Sequence, residues 1–157
     1  MESGYPRRKH PRLKNKEIYA IPGTVAHIII GTENRIGVFT ECEIAKGICD
    51  IIRETANEKS NPLYAYCVMP DHVHMLVGAS VSCGIIKFVR HVKGRFTSFC
   101  RRKRKKISLQ RSFYDHVMRK DEDLLATAQY ILANPVRGGI ATQERDYPFS
   151  GSMVFNL

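Results

Sequence analysis

Two short apolar runs separated by only two residues constrain the fold of this chain more than any other feature. Residues 63–69 (LYAYCVM) form the longest uninterrupted apolar run, and residues 72–77 (HVHMLV) follow after Pro70 and Asp71. A connection of two residues joins antiparallel strands and is too short for a crossover. The sequence therefore predicts a β-hairpin near the centre of the chain.

The elements around this hairpin are predicted from hydrophobic periodicity and capping signals. In chain order they are a strand over residues 24–32, a helix over 41–59 capped by Thr40, a helix over 83–103, a strand over 112–119 and a helix from 121–123 to about 134–135. This order predicts an α+β fold, a ferredoxin-like (split βαβ) antiparallel sheet with helices on one face plus a C-terminal helix. The last helix bears Tyr130, and residues 138–157 show no clear period.

Positive charge is concentrated in two segments of a chain whose formal net charge is +10. Residues 1–16 hold six Lys or Arg and one acid, and residues 87–111 hold eleven Lys or Arg and no acid. The rest of the chain has more acids than bases, so this distribution indicates a nucleic-acid-binding protein. The alternative is a solvated basic face with a tail that favours solubility. We expect a flexible basic arm over residues 1–18 and one domain over residues 19–157.

Composition also bears on where the protein is found. The longest apolar run has seven residues, too few for a membrane span, and no apolar stretch follows the basic N-terminal residues of the chain. The five cysteines are odd in number and widely spaced, which favours reduced and mostly buried thiols. We therefore expect a cytoplasmic, nucleoid-associated protein.

Two histidines lie on the second strand of the hairpin. His72 and His74 are two residues apart, so their side chains project from the same face and could share one metal ion. The spacing alone is equally compatible with two packing or surface histidines on a half-exposed strand. Both interpretations stay open on this pattern.

The last predicted helix places an aromatic side chain on its polar face. Tyr130 lies opposite the apolar arc and one turn before Asn134, so a phenol and an amide point the same way. A surface tyrosine is the alternative. Together with the histidine pair, the arrangement favours a nucleophile beside a metal site.

These segments resemble a known family. Residues 66–77 (YCVMPDHVHMLV) resemble the HUH motif of single-tyrosine transposases of the insertion-sequence 200/605 type. Residues 130–139 (YILANPVRGG) resemble the tyrosine helix of the REP-associated tyrosine transposase branch. Residues 21–23 (IPG) with His27, and residues 114–119 (YDHVMR), also resemble the family pattern.

The resemblance implies cleavage and rejoining of single-stranded DNA near hairpins. It implies that Tyr130 attacks the phosphodiester to give a 5′-phosphotyrosine, and that His72, His74 and Asn134 hold Mg²⁺ or Mn²⁺ as a cofactor. The expected partner is single-stranded or hairpin DNA, and the protein is expected to act as a homodimer or a monomer.

The basic face of the 83–103 helix and the run that follows it are predicted to bind the DNA backbone. The positions are Lys87, Arg90, Lys93, Arg101, Arg102, Lys103, Arg104, Lys105 and Lys106. His27, His91, Asp115 and His116 are predicted to be structural groups. Two alternatives remain: a non-catalytic hairpin-DNA-binding relative, and a metal-dependent phosphoesterase.

Overall fold

A five-stranded antiparallel sheet with helices on both faces forms the fold of residues 16–157, which are the residues that the computed structural model describes. The strands are β1 Val25–Gly31, β2 Leu63–Met69, β3 His72–Gly78, β4 Tyr114–Val117 and β5 Ser150–Gly151. The helices are α1 Cys42–Lys59, α2 Ile85–Arg102, α3 Leu124–Leu132 and α4 Asn134–Arg137. The predicted hairpin is confirmed as β2 and β3, joined at Pro70 and Asp71.

The strands are ordered β4-β1-β3-β2-β5 across the sheet. Because β3 inserts between β1 and β2, the β1–α1–β2 unit is the split βαβ unit of a ferredoxin-like fold, and the predicted fold class is confirmed. The edge strand β5 was not predicted. It is only two residues long, and it pairs with Tyr66 and Cys67 of β2.

The two faces of the sheet carry separate apolar cores. Helices α1 and α2 cover the first face, where Val73, Met75 and Val77 of β3 point. Helix α3 covers the second face, where Ile131 packs with Leu76 of β3. Since side chains alternate along a strand, His72 and His74 share the α3 face with Leu76. The register therefore places the histidine pair under the helix that bears Tyr130.

One local prediction differs from the structure. Thr40 does not cap α1, because its hydroxyl donates at 2.7 Å to the carbonyl of Gly37, which also accepts the Thr40 backbone N–H that closes a 3-10 turn. The residue that precedes α1 is Glu41, whose side chain makes no capping hydrogen bond. The last helix does begin at the predicted acids, because the Asp123 carboxylate accepts hydrogen bonds from the backbone N–H groups of Leu125 and Ala126.

The predicted basic arm over residues 1–18 lies mostly outside the described residues. Its last three positions begin the 3-10 helix Lys16–Ala20, in which Tyr19 is buried and its hydroxyl donates to the Asp115 carboxylate. All five cysteines are free, and four of them are buried, as predicted. Over residues 16–157, every helix is too short or too polar to span a bilayer.

Candidate active site

The histidine pair on β3 forms the centre of the candidate site. His72 and His74 are 8% and 5% exposed, and their Nε2 atoms lie 3.1 Å apart. Two ligands at right angles on an octahedral ion, with bonds of about 2.1 Å, lie about 3.0 Å apart. The two Nε2 atoms thus have the spacing of neighbouring ligands on a single divalent ion.

The imidazole of His72 is oriented by the residue that precedes it. Its Nδ1–H donates to Oδ1 of Asp71 at 2.6 Å, and Asp71 is itself paired with Arg35 at 3.4 Å. This bond places the proton on Nδ1 and leaves the lone pair of Nε2 for a ligand. A carboxylate behind a metal-binding histidine is the usual arrangement in protein metal sites.

The imidazole of His74 is held from the other side by His27 of β1. Nδ1 of His74 and Nε2 of His27 share a hydrogen bond at 3.0 Å, and the two rings stack with centroids 5.2 Å apart. The contact turns Nε2 of His74 towards His72. From the sequence alone, His27 is predicted to be only a structural group, because its contact with His74 depends on how β1 pairs with β3.

Burial keeps these imidazoles neutral. It lowers the pKa of His27 to about 4, with the charge of His116 as a second cause. Burial also lowers the pKa of His72, although Asp71 opposes it, and burial holds the pKa of His74 well below its usual value. A metal-binding imidazole must be unprotonated, so these shifts favour the form that binds metal at neutral pH.

One further potential ligand lies beside the pair. Cys67 of β2 pairs with His74 in the sheet, but burial raises the pKa of its thiol to about 12, so it remains protonated. Among residues 16–157, no group of three or more His, Cys, Asp or Glu side chains is placed to hold a metal ion. A third protein ligand would therefore have to come from another residue type.

Asn134 is the residue predicted from the sequence to supply that ligand. Pro135 has no backbone N–H, and the Asn134 side chain instead donates from Nδ2 to the Ile131 carbonyl at 2.9 Å. This bond fixes the amide with Oδ1 on the opposite side, where it accepts from Nη2 of Arg137 at 2.9 Å. An amide oxygen has two lone pairs, so Oδ1 keeps the capacity to bind a hard cation.

Tyr130 lies on the outward side of α3, and 59% of it is exposed. Its ring stacks against the guanidinium of Arg137, whose Cζ is 3.8 Å from the ring centroid. Within residues 16–157, neither Tyr130 nor Asn134 makes a hydrogen bond or ring contact with His72 or His74. The structure brings the two histidines together and places the other two residues in the layer that covers their face.

The predicted DNA-binding residues fall into two groups, those whose side chains already bond to the protein and those that are exposed. Lys93 donates to the carbonyls of Gln110 and Arg111, and burial lowers its pKa to about 8. Lys103 and Lys105 form ion pairs with Glu43 and Glu41. The remaining positions are exposed and have no acidic partner among residues 16–157; they are Lys87, Arg90, Arg101, Arg102, Arg104 and Lys106.

The basic residues of α2 and the histidine pair lie on opposite faces of the sheet. Helix α2 packs on the face that receives Val73 and Met75, whereas His72 and His74 point towards α3. A nucleic acid that contacts both regions must therefore pass around an edge of the sheet.

A ferredoxin-like sheet with a histidine pair beneath a tyrosine-bearing helix is the arrangement expected of the transposase class that the sequence motifs resemble. A family model described as IS200-like transposase matches residues 21–132. The chain belongs to this family, which confirms the resemblance drawn from its motifs.

Two curated relatives and two solved structures are similar to the chain. A putative REP-associated tyrosine transposase of Haemophilus influenzae is 30% identical over 98 residues, covering 55% of this chain and 56% of the relative. The ISDra2 transposase TnpA of Deinococcus radiodurans is 40% identical over 52 residues, covering 33% and 37%. The chain thus spans about half or less of the length of these relatives.

The solved structures support the fold. A REP-associated tyrosine transposase bound to a REP hairpin superposes with a TM-score of 0.67 at 24% identity, over 95% of this chain and 82% of that chain. A putative transposase from Deinococcus radiodurans gives a TM-score of 0.51 at 28% identity, over 70% and 88%. Both structures share the arrangement of sheet and helices described above.

Proposed function

We propose that this protein is a DNA transposase that cleaves and rejoins single-stranded DNA next to a hairpin. Tyr130 is the nucleophile, and a divalent metal ion is the cofactor. The observation that carries the proposal is the pair of neutral imidazoles, His72 and His74, with Nε2 atoms 3.1 Å apart. Family membership supports it, and so does the hairpin bound by one relative of the same fold. A cytoplasmic location, with access to DNA, is part of this proposal.

The residues proposed to hold the metal ion are His72, His74 and Asn134. Two imidazole nitrogens and one amide oxygen suit Mn²⁺ well and Mg²⁺ acceptably. When bound, such an ion polarises the scissile phosphate and offsets the charge that builds on its oxygens in the transition state. Asp71 and His27 keep the two imidazoles in the orientation that binds metal.

The covalent step is a transesterification at phosphorus. A bond forms between Oη of Tyr130 and the phosphorus, and the bond from phosphorus to the 3′ oxygen breaks. The phenol loses its proton to water, and the departing 3′ oxygen takes one from water. The products are a 5′-phosphotyrosine and a free 3′-hydroxyl, so attack by another 3′-hydroxyl rejoins DNA without ATP.

Exposed cations on and after α2 are proposed to hold the DNA away from the site of cleavage. Arg101, Arg102, Arg104 and Lys106 are exposed at the end of that helix and beyond it. Their charge attracts the phosphate backbone without regard to sequence. Because α2 packs on the face of the sheet opposite to His72, cations at the end of this helix are suited to bind a flanking segment such as a hairpin stem.

The test is covalent capture. The protein is incubated with Mn²⁺ and a pool of single-stranded oligonucleotides that each contain an imperfect hairpin with random single-stranded flanks. We expect a protein–DNA adduct that survives denaturing electrophoresis and does not form in EDTA. The sequence of the attached DNA then identifies the cleavable oligonucleotide. Absence of any adduct, with hairpin binding retained, contradicts the proposal.

One observation favours a second candidate, a hairpin-binding protein that does not cut. The hydroxyl of Tyr130 contacts neither imidazole of the pair, although the helix that bears Tyr130 covers the face of the sheet on which the pair lies. Such a protein would bind the oligonucleotide pool in the presence and absence of Mn²⁺ with equal affinity. Binding of that kind without an adduct would favour this candidate over the transposase.

A further inference from the structure

We propose that Arg137 is a further catalytic residue of this site, whose guanidinium binds a non-bridging oxygen of the phosphate that Tyr130 attacks. This inference rests on the proposed function. Arg137 belongs to α4, three residues after Asn134 and seven after Tyr130.

The position of Arg137 is set by the backbone on both sides of it. Its own N–H donates to the carbonyl of Ala133 at 3.0 Å, and the N–H of Gly138 donates to the carbonyl of Asn134 at 2.8 Å. These bonds continue the helical path beyond Pro135, so residues 130, 134 and 137 lie on one side of α3 and α4. The side-chain contacts agree: Cζ is 3.8 Å from the Tyr130 ring centroid and Nη2 is 2.9 Å from Oδ1 of Asn134.

No carboxylate among residues 16–157 forms an ion pair with Arg137. Its side chain is exposed, and its one hydrogen bond to another side chain within residues 16–157 goes to the neutral amide of Asn134. By contrast, Arg95 donates to the carboxylate of Glu58 at 2.8 Å. A guanidinium has five N–H donors in a planar fork that fits two phosphate oxygens, so Arg137 retains donors for an anion.

The guanidinium of Arg137 therefore contacts both the proposed nucleophile, Tyr130, and the residue proposed to supply the third metal ligand, Asn134.

This placement defines what Arg137 does during the covalent step. It neither gives nor takes a proton as the bond from Tyr130 to phosphorus forms and the bond to the 3′ oxygen breaks. It offsets negative charge on the non-bridging oxygens, and its stacking holds the phenol ring in place. Removal of one preorganised donor to such oxygens slows reactions about 10²–10³-fold.

The test measures single-turnover adduct formation with saturating amounts of the cleavable oligonucleotide selected from the hairpin pool, in Mn²⁺. We expect Arg137→Ala to slow the adduct about 10²–10³-fold, with DNA affinity changed less than about threefold. Arg137→Lys retains the positive charge without the planar fork, so we expect its rate of adduct formation to lie between those of the wild type and Arg137→Ala. Arg145→Ala removes an exposed arginine of the neighbouring 3-10 helix Glu144–Asp146 and serves as the matched control, with a wild-type rate.

A second substrate separates charge neutralisation from a purely structural role. A methylphosphonate at the scissile position is neutral before attack and carries one negative charge fewer than the phosphate in the transition state, so Arg137 has less charge to offset. We expect the defect of Arg137→Ala to shrink below about tenfold on this substrate, whereas a misplaced Tyr130 would keep the full defect on both substrates.

The outcomes distinguish this inference from the proposed function. An adduct from the wild type together with an Arg137→Ala rate within threefold overturns the role of Arg137 alone. An unchanged defect on the methylphosphonate also overturns it. Absence of an adduct from the wild type overturns the proposed function and this inference with it.

Discussion

His27 and His74 share a hydrogen bond across strands β1 and β3, with Nε2 of the first 3.0 Å from Nδ1 of the second. When Nε2 of His74 is a metal ligand it carries no proton, so its Nδ1–H must donate to His27. Nδ1 of His72 has an equivalent acceptor in Asp71. Each imidazole of the pair therefore has its own orienting partner, one on the hairpin turn and one on a neighbouring strand.

The first prediction concerns this orienting bond. His27→Gln should weaken Mn²⁺ affinity about 10- to 100-fold, the usual effect of losing an outer hydrogen bond to a metal ligand. Titration calorimetry measures it without DNA. His116→Gln, on the adjacent strand β4 and bonded to Glu122 instead, is the control and should leave Mn²⁺ affinity unchanged. Equal affinities for wild type and His27→Gln would show that the bond has no such role.

The histidine pair itself gives the second prediction. His72→Ala should abolish Mn²⁺ binding in the same titration and abolish adduct formation, because one imidazole and an amide do not retain a divalent ion. Melting curves in EDTA check that the variant folds. Adduct formation by His72→Ala, or by the wild type in EDTA, would exclude the metal role.

The third prediction is a dependence of stability on pH. His27 has a pKa of about 4 in the folded protein against its ordinary value of 6.5, so the unfolded chain binds more protons between these limits. The contribution of His27 to the free energy of unfolding is therefore complete above pH 6.5 and is lost as the pH drops towards 4. His27 alone should account for about 2 kcal/mol between about pH 8 and pH 5.

Urea unfolding in EDTA at the two pH values measures this loss. The lowered pKa values of His72 and His74 act in the same direction, so the wild type should lose more than His27 alone explains. His27→Gln should lose about 2 kcal/mol less than the wild type over the same interval. A wild type equally stable at both pH values would contradict the burial of neutral imidazoles.

The fourth prediction concerns the basic segment after α2. Arg102→Ala combined with Arg104→Ala should reduce the magnitude of the slope of log affinity against log salt for a hairpin oligonucleotide by about 1.4 to 1.8, because each lost phosphate contact removes about 0.7 to 0.9. Fluorescence anisotropy between about 50 and 200 mM salt measures it. Lys103→Ala should have a smaller effect, since its ammonium is already paired with Glu43 at 2.6 Å.

A wild-type affinity that does not change with salt would remove the basis for this assignment. An unchanged slope in the double variant would place the phosphate contacts elsewhere on the surface.

Much of the fold could be predicted because local patterns determine it. Alternation along β3 places His72 and His74 on one face whatever the rest of the chain does, and two residues between apolar runs permit only a hairpin. The strand β5 could not be predicted, because its two residues carry no periodicity and its pairing depends on the edge left open by β2.

The candidate site was predictable only in part. The histidine pair, Tyr130 and Asn134 lie within short motifs, and Pro135 marks the interruption of the last helix. The contact of His27 with His74 depends on strand register, which composition and spacing do not specify. The stacking of Arg137 on Tyr130 depends on the chain staying helical beyond Pro135, where a proline usually predicts an end.

The nucleophile is the central claim and the fifth prediction. The adduct formed with the cleavable oligonucleotide is digested with protease and nuclease, and mass spectrometry locates the nucleotide on the peptide. We predict modification of Tyr130, and none in Tyr130→Phe, which should bind the same oligonucleotide within a few-fold of wild type. A nucleotide on Tyr114 or Tyr66, or an undiminished adduct in Tyr130→Phe, would contradict the account.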